Sequence, residues 1–106
     1  MAKYLIKASY TAAGTKGLLK EGGSGRKAVV QKALEGLGGK LEAFYYSFGE
    51  ADVLAIIDVP DAAAAAAFSL TANATGAVEV STTPLISPEE LDQACKKSVN
   101  YRPPQG

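Results

Sequence analysis

Six side chains of this sequence are of types that can hold or transform a small molecule: Lys7, Arg26, Tyr45, Tyr46, Glu50 and Asp52. Lys7 stands in the middle of a strand-like segment. A lysine taken out of water must pair or give up its proton, and a paired one could hold an anionic or enolate-like ligand. A lysine snorkelling from the sheet, or an intersubunit ion pair, accounts for it equally simply. Tyr45 and Tyr46 fall on opposite faces of a strand, so one phenol enters the core and the other lines an open surface. A phenol there can donate a hydrogen bond to a carbonyl or act as an acid; aromatic packing is the plainer explanation. Glu50 and Asp52 sit in a turn, Gly49-Glu50-Ala51-Asp52. Two carboxylates can share acid–base work or bind a hard cation, but two ligands do not complete a metal site, and no metal is expected. A turn in which Asp52 accepts backbone N–H groups needs less.

Arg26 follows Gly22-Gly23-Ser24-Gly25 at the start of a helical pattern. Helix N-terminal N–H groups with Arg26 and Lys27 would welcome a phosphate or carboxylate. The spacing is not that of a P-loop, and the segment does not follow a strand as a dinucleotide fingerprint does. Tyr101 and Arg102, in the tail Asn100-Tyr101-Arg102-Pro103-Pro104, suit an interface anchor.

The elements that would position these groups follow from periodicity. Residues 3–10 alternate with Tyr4, Ile6, Ala8 and Tyr10 on one face and Leu5, Lys7 and Ser9 on the other. A short turn over 15–21, with Thr15 as its cap, is expected to end at Gly22-Gly23, and Ser24 to cap a helix over about 25–37. Strands are expected over 41–48, 52–59 and 77–86. Pro84 belongs at an edge or bulge. A helix over 62–73 is expected after Asp61. Ser87-Pro88-Glu89-Glu90 is a capping box opening a helix to about Lys97, with Leu91, Ala94 and Cys95 as its buried stripe. That location makes Cys95 inert. The expected organisation is one domain over 1–98 and an extended tail over 99–106.

This order of strands and helices is the ferredoxin-like α+β arrangement, βαββαβ, an antiparallel four-stranded sheet with helices on one face and an extra C-terminal helix. Right-handed crossovers place the first and third strands in the centre. The other face would then carry Leu54, Ile56, Leu5 and either Phe44 or Tyr45. Each such side chain is worth about 1.5–3 kcal/mol when buried. A second copy packed sheet against sheet, as in dimeric α+β barrels, is the simplest cover, with Leu54 and Ile56 in the interface.

Composition narrows the function. The 106 residues carry eleven basic and eleven acidic side chains and no histidine. The zero balance argues against non-specific nucleic-acid binding, and the missing histidine removes the commonest general base and metal ligand. One cysteine permits no internal disulfide. No apolar run is long enough to span a membrane, and no secretory pattern follows the N-terminus, so a cytoplasmic location is expected.

The segments KYLIKASYTAAGTKGLL and GGKLEAFYYSFGEADV, the Thr82-Thr83 strand and the NYRPP tail resemble the GYD-domain family over nearly the whole chain. The namesake triplet is altered: Gly49 and Asp52 resemble its outer positions, while Glu50-Ala51 stands where the family has one tyrosine. The resemblance implies a ferredoxin-like fold related to dimeric α+β barrels and brings no established activity. Two functions fit the residues. One is a small homo-oligomeric ligand-binding or assembly module, without cofactor, whose pocket lies between sheet and helices or between paired sheets. The alternative is a cofactor-free isomerase or oxygenase acting on a small carbonyl or phenolic substrate, an analogy from fold.

Overall fold

The computed structural model describes residues 1–105. Its elements run β1 (Ala2–Tyr10), α1 (Ala12–Gly36), β2 (Lys40–Tyr46), β3 (Val53–Val59), α2 (Ala62–Ala74), β4 (Val78–Leu85) and α3 (Pro88–Lys96). The strands form one antiparallel sheet in the order β2-β3-β1-β4. This is the ferredoxin-like arrangement, and β1 and β3 hold its centre as the handedness of the crossovers requires. Pro84 lies in β4, an edge strand, where a missing N–H costs no ladder bond on the open side.

Period two sorts the central strands. Ile6 and Ala8 of β1, and Val53, Ala55 and Ile57 of β3, are buried under the helices. The largest fully enclosed side chains are Leu34 of α1 with Ile57 and Val59 of β3. Leu5, Lys7, Leu54 and Ile56 point the other way: Leu5 pairs with Ile56, and Lys7 with Leu54.

The first helical region differs from the sequence expectation. The break at Gly22-Gly23 falls where the sequence places it, but the caps differ: the helical region begins at Ala12 instead of after Thr15, and Ser24 lies inside it instead of capping its second half. Thr11 is the cap, its hydroxyl accepting the Gly14 N–H at 3.3 Å while its own N–H reaches the Ala77 carbonyl at 3.0 Å. That cross-link to the start of β4 adds a long-range anchor to the local cap where the helix leaves β1. The glycines make a kink within the helix: Gly22 has φ +78° and ψ 165°, a conformation a Cβ disfavours. Gly14 is needed for closeness, since a Cβ there would stand 1.9 Å from the Ala77 carbonyl oxygen.

The C-terminal helix differs too. Its capping box is formed as expected, with Ser87 Oγ accepting the Glu90 N–H and Glu90 accepting the Ser87 N–H, both at 3.1 Å. Its apolar stripe is not buried. Leu91 is 54% exposed, Ala94 and Cys95 are exposed, and so are the described tail residues, Tyr101 and Arg102 included. The radius of gyration is 16.8 Å, against about 13 Å for a compact chain of this length. The helix and tail therefore form an arm that projects from the sheet domain. Gly106, the last residue of the expected tail, lies outside the described residues.

Candidate functional site: an apolar cleft between sheet and helices

The covered face is incompletely filled, and the sequence says why. The floor of the sheet there is built partly from Ala8 and Ala55, and the flanks of α1 and α2 present Ala33, Ala67 and Ala72. Methyl groups cannot bridge from helix to helix across the strands. α2 is alanine-rich by sequence, Ala62 to Ala67, and its Asp61 cap, accepting the Ala64 N–H at 2.9 Å, starts it at the end of β3. What remains between the helices is a cleft of about 420 Å³, within the roughly 300–1,000 Å³ range of small-molecule sites. Larger apolar groups, among them Val30, Phe44 and Phe68, complete its walls.

The two ends of the cleft differ. The strand register sets Tyr10 beside Val78, and Ala8 beside Val53, at one end of the sheet. Arg26, Tyr10 and Thr75 border the cleft there, whereas Leu37 and Ile57 border it toward the other end. Arg26 is the one charged residue among the lining residues. Its side chain is 29% exposed, and its guanidinium meets Glu21 at 3.4 Å, a long contact for an ion pair. Next to it, the Tyr46 hydroxyl donates to the Gly23 carbonyl at 2.9 Å, just past the kink. Burial first, then the neighbouring Tyr10, pushes the Tyr46 phenol up to about 12, although Arg26 draws it down. A phenol so held keeps its proton through the physiological range. Its ring stacks edge-on against Phe44 with centroids 5.2 Å apart.

The six candidate residues are thereby divided. Arg26 and Tyr46 lie on the helix side. Lys7 and Tyr45 lie on the open face, both flanking Leu54 in the ladder, and Tyr45 is 71% exposed. Tyr45 is thus the aromatic that joins Leu5, Leu54 and Ile56 on that face, and Phe44 faces the core. Glu50 is exposed in the β2–β3 turn. Asp52 ties that turn to the centre of the sheet: its Oδ2 accepts the Tyr10 N–H, its own N–H reaches the Ala8 carbonyl and its carbonyl takes the Ser47 N–H, each at 2.8 Å. Its carboxylate has the backbone-holding role open to a turn aspartate.

A polar group the sequence did not single out lies on the open face. Asp58 is 6% exposed, accepts from Lys3 Nζ at 3.3 Å through Oδ2, and leaves Oδ1 without a partner. Lys3 also pairs with Glu42. Hydrogen bonding to Glu42, aided by Asp58 and opposed by desolvation, raises the Lys3 pKa. The signal was present only in the register, Lys3 opposite Asp58, which no single segment reveals. The cleft walls contributed by Thr71, Thr75 and Phe68 were likewise missed, because α2 reads as a plain alanine helix. Among the described residues no group of three or more His, Cys, Asp or Glu is arranged to hold a metal ion, and no helix is long and apolar enough to cross a membrane.

A β2-β3-β1-β4 sheet carrying two helices on one face, with an apolar cleft beneath them, defines a ferredoxin-like α+β protein. The chain belongs to the GYD family, whose model, described as GYD domain, matches residues 4–95. That span takes in the sheet except the first two residues of β1, both helices over the cleft and most of α3. Neither a curated protein nor a solved structure matches the chain.

Proposed function

We propose that this GYD-family protein is a small-molecule-binding module that works as a homo-oligomer. The observation that carries the reading is the cleft: about 420 Å³ of space walled by apolar side chains and closed below by the central strands. Packing normally removes such space from a protein interior, and a cleft with few polar groups favours a ligand with an apolar body. The oligomer is supported by the opposite face. Leu54 and Tyr45 are exposed beside the half-covered Leu5 and Ile56, and a sheet-to-sheet contact with a second copy would bury all four. The projecting arm, with Leu91, Tyr101 and Arg102 exposed, supplies a second surface for the same contact. The groups a catalytic reading would need, Lys7, Tyr46, Glu50 and Asp52, are spread over two faces and a turn, and Asp52 and Tyr46 are tied to backbone.

Native mass spectrometry of the purified protein tests the reading directly. A dimer or larger ring carrying a defined extra mass, released on denaturation, is the expected result. A monomer with no added mass overturns both parts.

A further inference from the structure

We infer that the cleft takes an amphiphilic acid: a ligand with an extended apolar body and a single anionic head group, the head held at Arg26. This deepens the ligand-binding reading above and rests on it. A cleft lined by apolar groups would accept any greasy molecule of the right size, so selectivity must come from its few polar atoms. These are unevenly distributed. Arg26 is the one charged lining residue, no acidic side chain lines the cleft, and the Tyr10 and Thr75 side chains border the same end. A lone cation beside an apolar volume favours an anion and disfavours a cation, because the low-dielectric wall strengthens both effects. The guanidinium is also available. Its contact with Glu21 is 3.4 Å long and lies on the exposed side of α1, which leaves donors of a planar fork suited to a carboxylate or similar oxyanion. The Tyr46 phenol stays neutral and adds no opposing charge.

The cleft also has a direction. It follows β3 from Val53 to Ile57, about 13 Å of strand at about 3.3 Å per residue. An apolar chain can lie over Ala55 toward Leu37 with its head at the Arg26 end. The kink at Gly22 sets this arrangement, because it fixes where the following turn, Gly23 to Arg26, crosses the end of β2.

The test is a titration of the full-length ¹⁵N-labelled chain with decanoate, 1-decanol and decylamine, each below its micelle concentration, followed by amide shifts. Decanoate is expected to shift amides around Val30 and Phe68 and to bind at least about tenfold more tightly than 1-decanol, with decylamine weakest. Arg26→Gln should bring decanoate down to the level of 1-decanol without changing the latter. Ala67→Phe, which fills the cleft from the exposed flank of α2, should abolish both. Equal affinity for decanoate and 1-decanol in the unaltered protein overturns the acid head and leaves the cleft as a general apolar site. Shifts confined to the open sheet face, or no shifts with any of the three, overturn the cleft reading and this inference with it.

Discussion

The two faces of the sheet are made by the same strands and differ in what they ask of the rest of the molecule. On the covered face the inward residues of β1 and β3 include two alanines, Ala8 and Ala55, and two helices lie over them. On the open face the same strands present Leu5, Leu54 and Ile56 with Lys3, Lys7 and Asp58, and Tyr45 joins them from β2. The face with a cover mixes Ile6, Val53 and Ile57 with two alanines and keeps unfilled space, while the face without one carries large apolar side chains among its charges. Burial and apolar content are therefore separate signals. A covered surface that stays partly empty points to a small ligand, and an uncovered surface of large apolar groups points to a macromolecular partner.

The largest effect should come from cutting into the covered face where it is full. Leu34 is completely enclosed in the same core cluster as Ile57 and Val59. Leu34→Ala removes its contacts there and leaves a hole that the helix cannot close, with an expected loss of about 2–5 kcal/mol in urea denaturation. A loss under about 1 kcal/mol would mean that the region around the cleft collapses freely, contrary to a preformed cavity.

Ile56→Glu makes the complementary cut on the open face. It faces away from the helices, beside Leu5 and Ala43. The expected outcome is a shift from oligomer to monomer in native mass spectrometry, with far less change in intrinsic stability than Leu34→Ala, since a carboxylate at an interface core is left unpaired. Unchanged assembly would remove the open face from the oligomer interface and leave the arm as the remaining surface.

Between the faces stands Asp52, which fastens the β2–β3 turn to the end of β1. Asp52→Ala leaves the Tyr10 N–H without its carboxylate partner and should cost about 1.5 kcal/mol. Glu50→Ala, two residues earlier and exposed, should stay within about 0.5 kcal/mol. Similar values for the two would mean that the carboxylate contributes nothing beyond an ordinary surface charge.

The architecture was legible because it is written in local signals that repeat. The alternation in residues 3–10, the apolar run at Val53 to Ile57, the Asp61 cap and the capping box at Ser87 all lie within one segment and survive into the fold. The failures have a common physical origin in contacts between distant segments. Helix α1 starts at Ala12 because Thr11 caps it locally through the Gly14 N–H and is also held by Ala77, and no pattern near Thr11 contains the second bond. The stripe Leu91, Ala94 and Cys95 is exposed, not buried as its spacing suggests, because an apolar stripe says that a face needs a cover, not that the same chain supplies it. A pocket between sheet and helices is one of the two places the sequence allows, but its lining is not legible there, for a related reason. Alanines in a helix read as helix formers, and only the distance between α1 and α2 turns them into empty space. Of the candidate side chains, Arg26 stands out in the sequence by its place after a glycine run, and its location beside the cleft depends on the kink at Gly22.

That kink offers the finest test of the comparison, because Tyr46 is where the covered face meets the bent helix. Tyr46→Phe keeps the ring against Phe44 and deletes the hydrogen bond to Gly23, with an expected cost of about 0.5–1 kcal/mol at neutral pH. The pH dependence separates burial from mere packing. In the unfolded chain the phenol titrates near its ordinary value of 10.0, and in the folded one burial raises it to about 12. Below the lower value both states hold the proton, and the phenol adds no pH dependence. Between the two values the unfolded chain has lost the proton and the native protein still holds it. The unfolded state then binds fewer protons, so stability falls as pH rises through this window. All other ionisable groups are common to both proteins, so the informative quantity is the difference between them. Wild type should lose more stability than Tyr46→Phe as the pH passes from about 10 to about 12. Parallel curves would mean that the phenol at the kink is as wet as in a peptide, and that the Arg26 end of the cleft stands open to water.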